Sequence, residues 1–316
     1  MPGISPEGAV GGGRPDRVTL VEVGPRDGFQ FESAVVPTDR KRSVIARLAA
    51  AGLKQIQVAS FVHPARVPQM ADAETLIRQL PRSDGVIYSA LVLNRRGLDR
   101  AMASGIRAVE ISLSASDTHS RKNAGMPHEA ALDQGLGMID RAVSAGLRVR
   151  ASVQCAFGCA YEGAMPTARI VDVTRRFVDH GAHEVALADT TGMGSPPVVE
   201  TLLAAVLPFT GRLPLALHLH DTRGLGLVNL MAALACGISI FDTALAGMGG
   251  CPFVPGAAGN IATEDAAHLL DTLGIQTGVD HGRVGTVSRD METFFQKPFP
   301  GRMHRMTAFH NPSESI

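Results

Sequence analysis

The chain is 316 residues long and 45% hydrophobic, with thirty basic residues against thirty acidic ones. That is enough apolar material for a full core, as one large α/β domain or two smaller ones. A formal charge of zero leaves no electrostatic footprint for nucleic acid and no basic amphipathic segment for a membrane surface, so the composition points to a small-molecule role.

Residues 1–16 are rich in Gly and Pro and lack the apolar run of a secretory signal, which predicts a disordered tail. Eight short segments dominated by Val, Ile, Leu and Ala then read as buried strands: Arg17 to Gly24, Gln55 to Ser60, Val86 to Leu93, Ala108 to Ala115, Arg148 to Cys155, Glu184 to Thr190, Pro214 to His220 and Ile240 to Gly247. Helical spacing fills the stretches between them. Ala73, Leu76, Ile77 and Leu80 share one face after the second strand, and Ile170, Val173 and Phe177 share one after the fifth. Gly52, Gly105, Gly146, Gly181 and Gly237 each precede the residue that leads into the next strand, as expected of a left-handed helix C-terminus.

Eight β-α units in about 250 residues fit a closed (β/α)8 TIM barrel better than a doubly wound sheet. The barrel is expected over 17–294. A C-terminal extension over 295–316, with Lys297-Pro298-Phe299-Pro300, is expected to cover it or to serve an interface. No run approaches the roughly 18 apolar residues of a spanning helix. Cys155, Cys159, Cys236 and Cys251 show no disulfide or zinc framework, so a cytoplasmic location is expected.

Chemistry in such a barrel sits at the C-terminal ends of the strands. His218 and His220 end the seventh strand, and their spacing puts both imidazoles on one face. They are either metal ligands or a hydrogen-bonded pair in a polar core. Asp27, beside Arg26 after the first strand, can complete a His-His-Asp set suited to Mg²⁺ or Mn²⁺. The plain alternatives are a turn residue and a rim salt bridge.

The Gly-rich segment 247–260 after the eighth strand reads as a loop that closes over the mouth, with Cys251 in its middle as an acid or base, or else as an inert thiol. Asp189 ends the sixth strand, where it can orient a histidine or water or cap a helix. Arg121, Lys122 and Asn123 follow the fourth, where they can meet a phosphate-bearing substrate or simply face solvent. Cys155 and Cys159 are expected to pack rather than react.

Together these residues resemble the 3-hydroxy-3-methylglutaryl-CoA lyase family of metal-dependent TIM-barrel lyases. The matching stretches are 21–28, Ser60-Phe61-Val62 with Val67-Pro68-Gln69-Met70, 155–163, 218–222, the Gly-Gly-Cys-Pro loop, and Gly259-Asn260 with 262–265. The resemblance implies retro-Claisen cleavage of an acyl-CoA to acetyl-CoA and a 3-oxo acid such as acetoacetate. It also implies Asp27, His218, His220 and Asn260 as ligands of a divalent metal, Arg26 as the stabiliser of the enolate, Cys251 as the proton donor, and a homodimer.

Two departures stand out: Gln57 occupies the place of a glutamate usual in the family, and Ser33 that of a frequent lysine. An amide can hydrogen-bond but cannot act as a base. The departure predicts either reduced activity or a different acyl group, such as a branched 3-hydroxy-3-alkylglutaryl-CoA or citramalyl-CoA. A Claisen synthase or aldolase on the same scaffold would lack the cysteine loop, and a non-catalytic barrel with a decayed site would have no need to keep Arg26, Asp27, His218, His220, Cys251 and Asn260.

Overall fold

A computed structural model describes residues 14–81, 85–250 and 258–306. Eight strands close into one barrel, in sequence order and all parallel. They are β1 (Thr19–Glu22), β2 (Gln55–Ser60), β3 (Ile87–Val92), β4 (Ala108–Ser114), β5 (Arg148–Gln154), β6 (Glu184–Ala188), β7 (Leu215–His218) and β8 (Ile240–Thr243). Each lies inside a segment expected to be extended, and the ring closes where β8 pairs with β1, Val21 beside Asp242. β1 begins at Thr19, two residues later than expected, and ahead of it the chain pairs outside the barrel, where the Asp16 carbonyl accepts a hydrogen bond from the Gln276 amide at 3.0 Å.

The helices are α1 (Phe29–Phe31), α2 (Thr38–Ala50), α3 (Ala73–Gln79), α4 (Arg95–Ser104), α5 (Asp117–Ala124), α6 (His128–Ser144), α7 (Thr167–Asp179), α8 (Pro196–Thr210), α9 (Gly226–Ala235), α10 (Thr263–Thr272) and α11 (His281–Phe295). Side-chain caps start three of them, as where Asn94 accepts the Gly97 amide at 2.8 Å ahead of α4. The five glycines expected at helix ends all have positive φ. Gly52 needs its missing side chain twice over, since at φ 103° a Cβ would also sit 1.9 Å from the Gly278 carbonyl oxygen.

Most apolar side chains pack between the strands and the helices, including Ile170, Val173 and Phe177 on the inner face of α7. A second, small cluster of Val21, Val23 and Ala244 with Ile240 lies apart from it. Around this second cluster the strands bury polar and charged groups instead: Gln57, Glu110, Arg150, Glu184 and Asp242 are all under 12% exposed. After α11 the chain folds back. Phe299 is buried, His304 lies 2.9 Å from Glu264 and 3.0 Å from Glu292, and Asp265 accepts the Arg302 and Met303 amides, so residues 299–304 pack against α10 and α11.

The α7 packing is testable. Phe177→Ala leaves a cavity against the strands and is expected to lower unfolding free energy by about 3–5 kcal/mol, read from urea denaturation.

Candidate functional site

The chain leaves β1 through a wide helical turn, Gly24–Gly28, which carries Arg26 and Asp27. Wide turns of this kind are uncommon and recur at functional sites. The Val23 carbonyl receives the Arg26 and Asp27 amides at 3.0 and 2.6 Å. Beneath the turn, the Glu22 carboxylate accepts the Gly24 amide at 2.7 Å, the Leu245 amide at 2.9 Å and the Thr263 hydroxyl at 2.7 Å. Burial nevertheless pushes its pKa up to about 7. Glu22 thus ties the first βα turn to the segment that follows β8.

Asp27, His218 and His220 meet at the mouth, each offering a donor atom within 4.8 Å of the others. The two histidine Nε2 atoms face one another at 3.1 Å. Asn260 donates to Asp27 Oδ2 at 2.7 Å and to the Met248 carbonyl at 2.9 Å, which fixes its amide and leaves Oδ1 buried without a partner; His220 Nδ1 is likewise unpartnered. Glycine makes this approach possible. At Gly249, with φ 120°, a Cβ would lie 2.4 Å from Asn260 Nδ2 and 3.2 Å from Asp27 Oδ2.

The protonation states follow from the surroundings. Burial would raise the Asp27 pKa, but Arg26 and His218 outweigh it and hold the carboxyl below its usual range. For His220, burial and the neighbouring His218 bring the pKa down to about 3, so its ring is neutral. Burial would also lower His218, yet Asp242, 3.2 Å from its Nδ1, holds it up. A carboxylate, two imidazoles and an orphaned amide oxygen form an oxygen and nitrogen donor set that fits a divalent cation. The buried carboxylates Asp27, Glu110, Glu184 and Asp242 also outnumber the buried guanidiniums Arg26 and Arg150, an excess that such a cation would offset.

Behind the mouth, Arg150 binds Glu184 at 2.6 Å, Asp242 at 2.7 Å and Glu110 at 3.7 Å. Arg26 donates to Asp27 and, through Nε, to Gln57. One open cavity is lined by Arg26, Asp27, Glu110, Ser152, His218 and His220 among others, whereas Arg150 and Glu184 line a separate pocket deeper in the barrel with Glu110.

The remaining expected residues are spread more widely. Asn123 reaches the cavity and donates to Gln154 at 3.2 Å. Arg121 pairs with Asp117 on the outside of α5, and Lys122 stands 4.9 Å over the Tyr161 ring; both are exposed at the rim. Asp189 turns away from the cavity, accepting the Gly194 amide at 3.0 Å within its own loop, and burial raises its pKa to about 6. Cys155 and Cys159 are buried. Cys251 lies outside the described residues.

Sequence reading passed over Glu110, Arg150 and Asp242. Their signal is a charged residue inside an otherwise apolar strand, which in a barrel closed on both faces must find its partner in the interior.

Comparison with known proteins gives one picture. The HMGL-like family model matches residues 17–291. The mitochondrial hydroxymethylglutaryl-CoA lyase of Rattus norvegicus is 42% identical over 266 residues, 84% of this chain and 82% of that one. The HMG-CoA lyase structure from Bacillus subtilis aligns with a TM-score of 0.88 at 39% identity, covering 92% of this chain and 98% of that one. An HMG-CoA lyase from Acinetobacter baumannii, solved in complex with coenzyme A and 3-methylmalate, gives 0.89 at 34% identity, covering 94% and 97%.

The Asp242 contact is expected to be structural as well as local. Asp242→Asn should cost about 1–3 kcal/mol in urea unfolding, because Arg150 and His218 both lose a charged hydrogen-bond partner.

Proposed function

The chain belongs to the HMGL-like family, and on that premise we propose that it is a carbon–carbon lyase that cleaves 3-hydroxy-3-methylglutaryl-CoA to acetyl-CoA and acetoacetate. The observation that carries this reading is the meeting of Asp27, His218 and His220 with Arg26 on one cavity at the barrel mouth. The other acyl groups weighed from Gln57 are not favoured by the relatives, which are hydroxymethylglutaryl-CoA lyases at about 40% identity over most of the chain.

In this reading Asp27, His218, His220 and Asn260 Oδ1 hold a divalent ion, Mg²⁺ or Mn²⁺. Bound there, it would supply Lewis acidity toward the oxygens of the substrate's 3-hydroxyl and terminal carboxylate. Asp242 fixes the His218 ring through Nδ1 and so aims Nε2 at the place of the ion, and the Asp27 carboxylate, which keeps a free lone pair when it binds an ion through one oxygen, can take the hydroxyl proton. As the C2–C3 bond breaks, the hydroxyl carbon becomes the ketone of acetoacetate and the bonding pair passes to the thioester as an enolate. Arg26, held by Asp27 and Gln57, presents its guanidinium to that growing negative charge. Cys251 then gives its thiol proton to the enolate carbon, completing acetyl-CoA. That assignment rests on its place in the Gly-rich loop.

Arg121, Lys122 and Asn123 at the rim are suited to the phosphates of coenzyme A, and Asp189 supports the loop behind His218. The same reading takes residues 17–294 as the catalytic barrel, with 1–16 and 295–316 as appendages. It includes a homodimer and a cytoplasmic location; among the described residues no helix is long and apolar enough to cross a membrane.

Acetyl-CoA release from 3-hydroxy-3-methylglutaryl-CoA tests the proposal. Release is expected with Mg²⁺ or Mn²⁺ and should vanish with chelator; folded, metal-supplied protein that releases none would defeat it. Cys251→Ala should lower turnover by roughly 10²- to 10⁴-fold, the usual loss when a positioned acid is removed, with the circular dichroism spectrum unchanged.

A further inference from the structure

We propose that Glu110 is a positioning residue for Arg26, acting through the side-chain amide of Gln57. The role in turnover rests on the lyase reading above; the geometry does not.

The three side chains form a line across the barrel. Arg26 Nε donates to Gln57 Oε1, and Gln57 Nε2 donates to Glu110 Oε2 at 2.7 Å. Arg26 is 7% exposed, Gln57 1% and Glu110 6%, so water does not compete for these contacts. The register of β2 on β3 slips between Gln57 and Ala59, a local irregularity of the kind that re-aims a side chain, and it lets Gln57 on β2 reach Glu110 on β4.

Chemistry fixes the direction of the line. A guanidinium only donates and a carboxylate only accepts, so the amide between them has one satisfactory orientation. Glu110 polarises the amide and makes Oε1 a stronger acceptor for Arg26 than an isolated glutamine would be. Asp27 holds Nη1 at the same time, so the guanidinium is gripped at two points and Nη2 is left for the substrate. Without the carboxylate, Gln57 can rotate and present its NH₂ to Arg26, and the guanidinium loses its fixed plane.

Glu110 has a second neighbour, since Arg150 lies 3.7 Å away. Arg150 keeps closer contacts to Glu184 at 2.6 Å and Asp242 at 2.7 Å, so the fold does not depend on Glu110 alone. The alternative role, a counter-ion for Arg150 only, makes a different prediction.

The test compares Glu110→Gln, Gln57→Leu and the exchange Gln57→Glu with Glu110→Gln. Each single change is expected to lower kcat by roughly 10- to 100-fold with KM changed far less, as when a catalytic group is misplaced by about an ångström. Combining Gln57→Leu with Glu110→Gln should be no worse than either alone, because the two act as one unit. The exchange puts a carboxylate directly on Arg26 while still depriving Arg150 of its Glu110 partner, so it should recover most of the lost kcat. Wild-type kcat in Glu110→Gln, or an exchange variant as slow as that single variant, would overturn the proposal.

A readout independent of turnover separates this from failure of the lyase reading. The Arg26 Nε–H, followed by side-chain NMR, should exchange slowly in the wild-type protein and much faster in both Glu110→Gln and Gln57→Leu. If the wild-type protein shows that protection but no acetyl-CoA release, the lyase reading fails and the relay stands. Equal exchange in wild type and Glu110→Gln removes the relay whatever the activity. Gln57→Leu leaves every Arg150 contact in place and serves should Glu110→Gln not fold.

Discussion

Arg150 is the group on which the rest of the site depends. A guanidinium inside a barrel would be costly if left alone, and here three carboxylates from β4, β6 and β8 surround it. Burial would lower its pKa, but Asp242, Glu184 and Glu110 together hold it above its ordinary value, so its charge is permanent. The arrangement fixes those carboxylates in turn, and two of them reach outward to the mouth. Asp242 sets the His218 ring, and Glu110 sets Gln57 and through it Arg26. Removing one member therefore disturbs groups on several strands.

Above that interior the mouth is assembled from two segments that meet from opposite ends of the chain. The turn after β1 brings Arg26 and Asp27, and the segment after β8 brings Asn260, with Glu22 tying the two together. Strand ends supply His218 and His220, so the donor set stands on the most rigid part of the fold. The lyase chemistry asks for a cation, an oxygen-binding metal set and a proton donor close together. The first two share one cavity wall here.

The fold was legible because the β-α units repeat the same physical solution: a short buried strand, an amphipathic helix and, at five of the helix ends, a glycine where the chain must turn left-handed. The His218, His220 and Asp27 cluster was legible for a related reason, since alternate residues on a strand share a face and barrel chemistry gathers at strand ends. What escaped was partnership at long range. Nothing near Glu110 in sequence shows that Arg150 and Gln57 are its neighbours, and Asp242 sits between Phe241 and Thr243 with no motif around it. Position 57 shows the same limit: read alone, Gln57 looks like a lost acid, whereas in the folded chain a carboxylate stands on its far side. Asp189 is the reverse case, a strand-end acid that suggested a role in the cavity but supports its own loop.

The central claim is that the buried charge network builds one divalent metal site from Asp27, His218, His220 and Asn260. Anomalous diffraction from crystals grown with Mn²⁺ tests it most directly. The account predicts a single strong peak at the barrel mouth, bonded to Asp27, His218 Nε2, His220 and Asn260 Oδ1 at lengths near 2.0–2.3 Å typical of such ions. A peak elsewhere, or none at these residues in crystals whose protein is active with Mn²⁺ in solution, would contradict it.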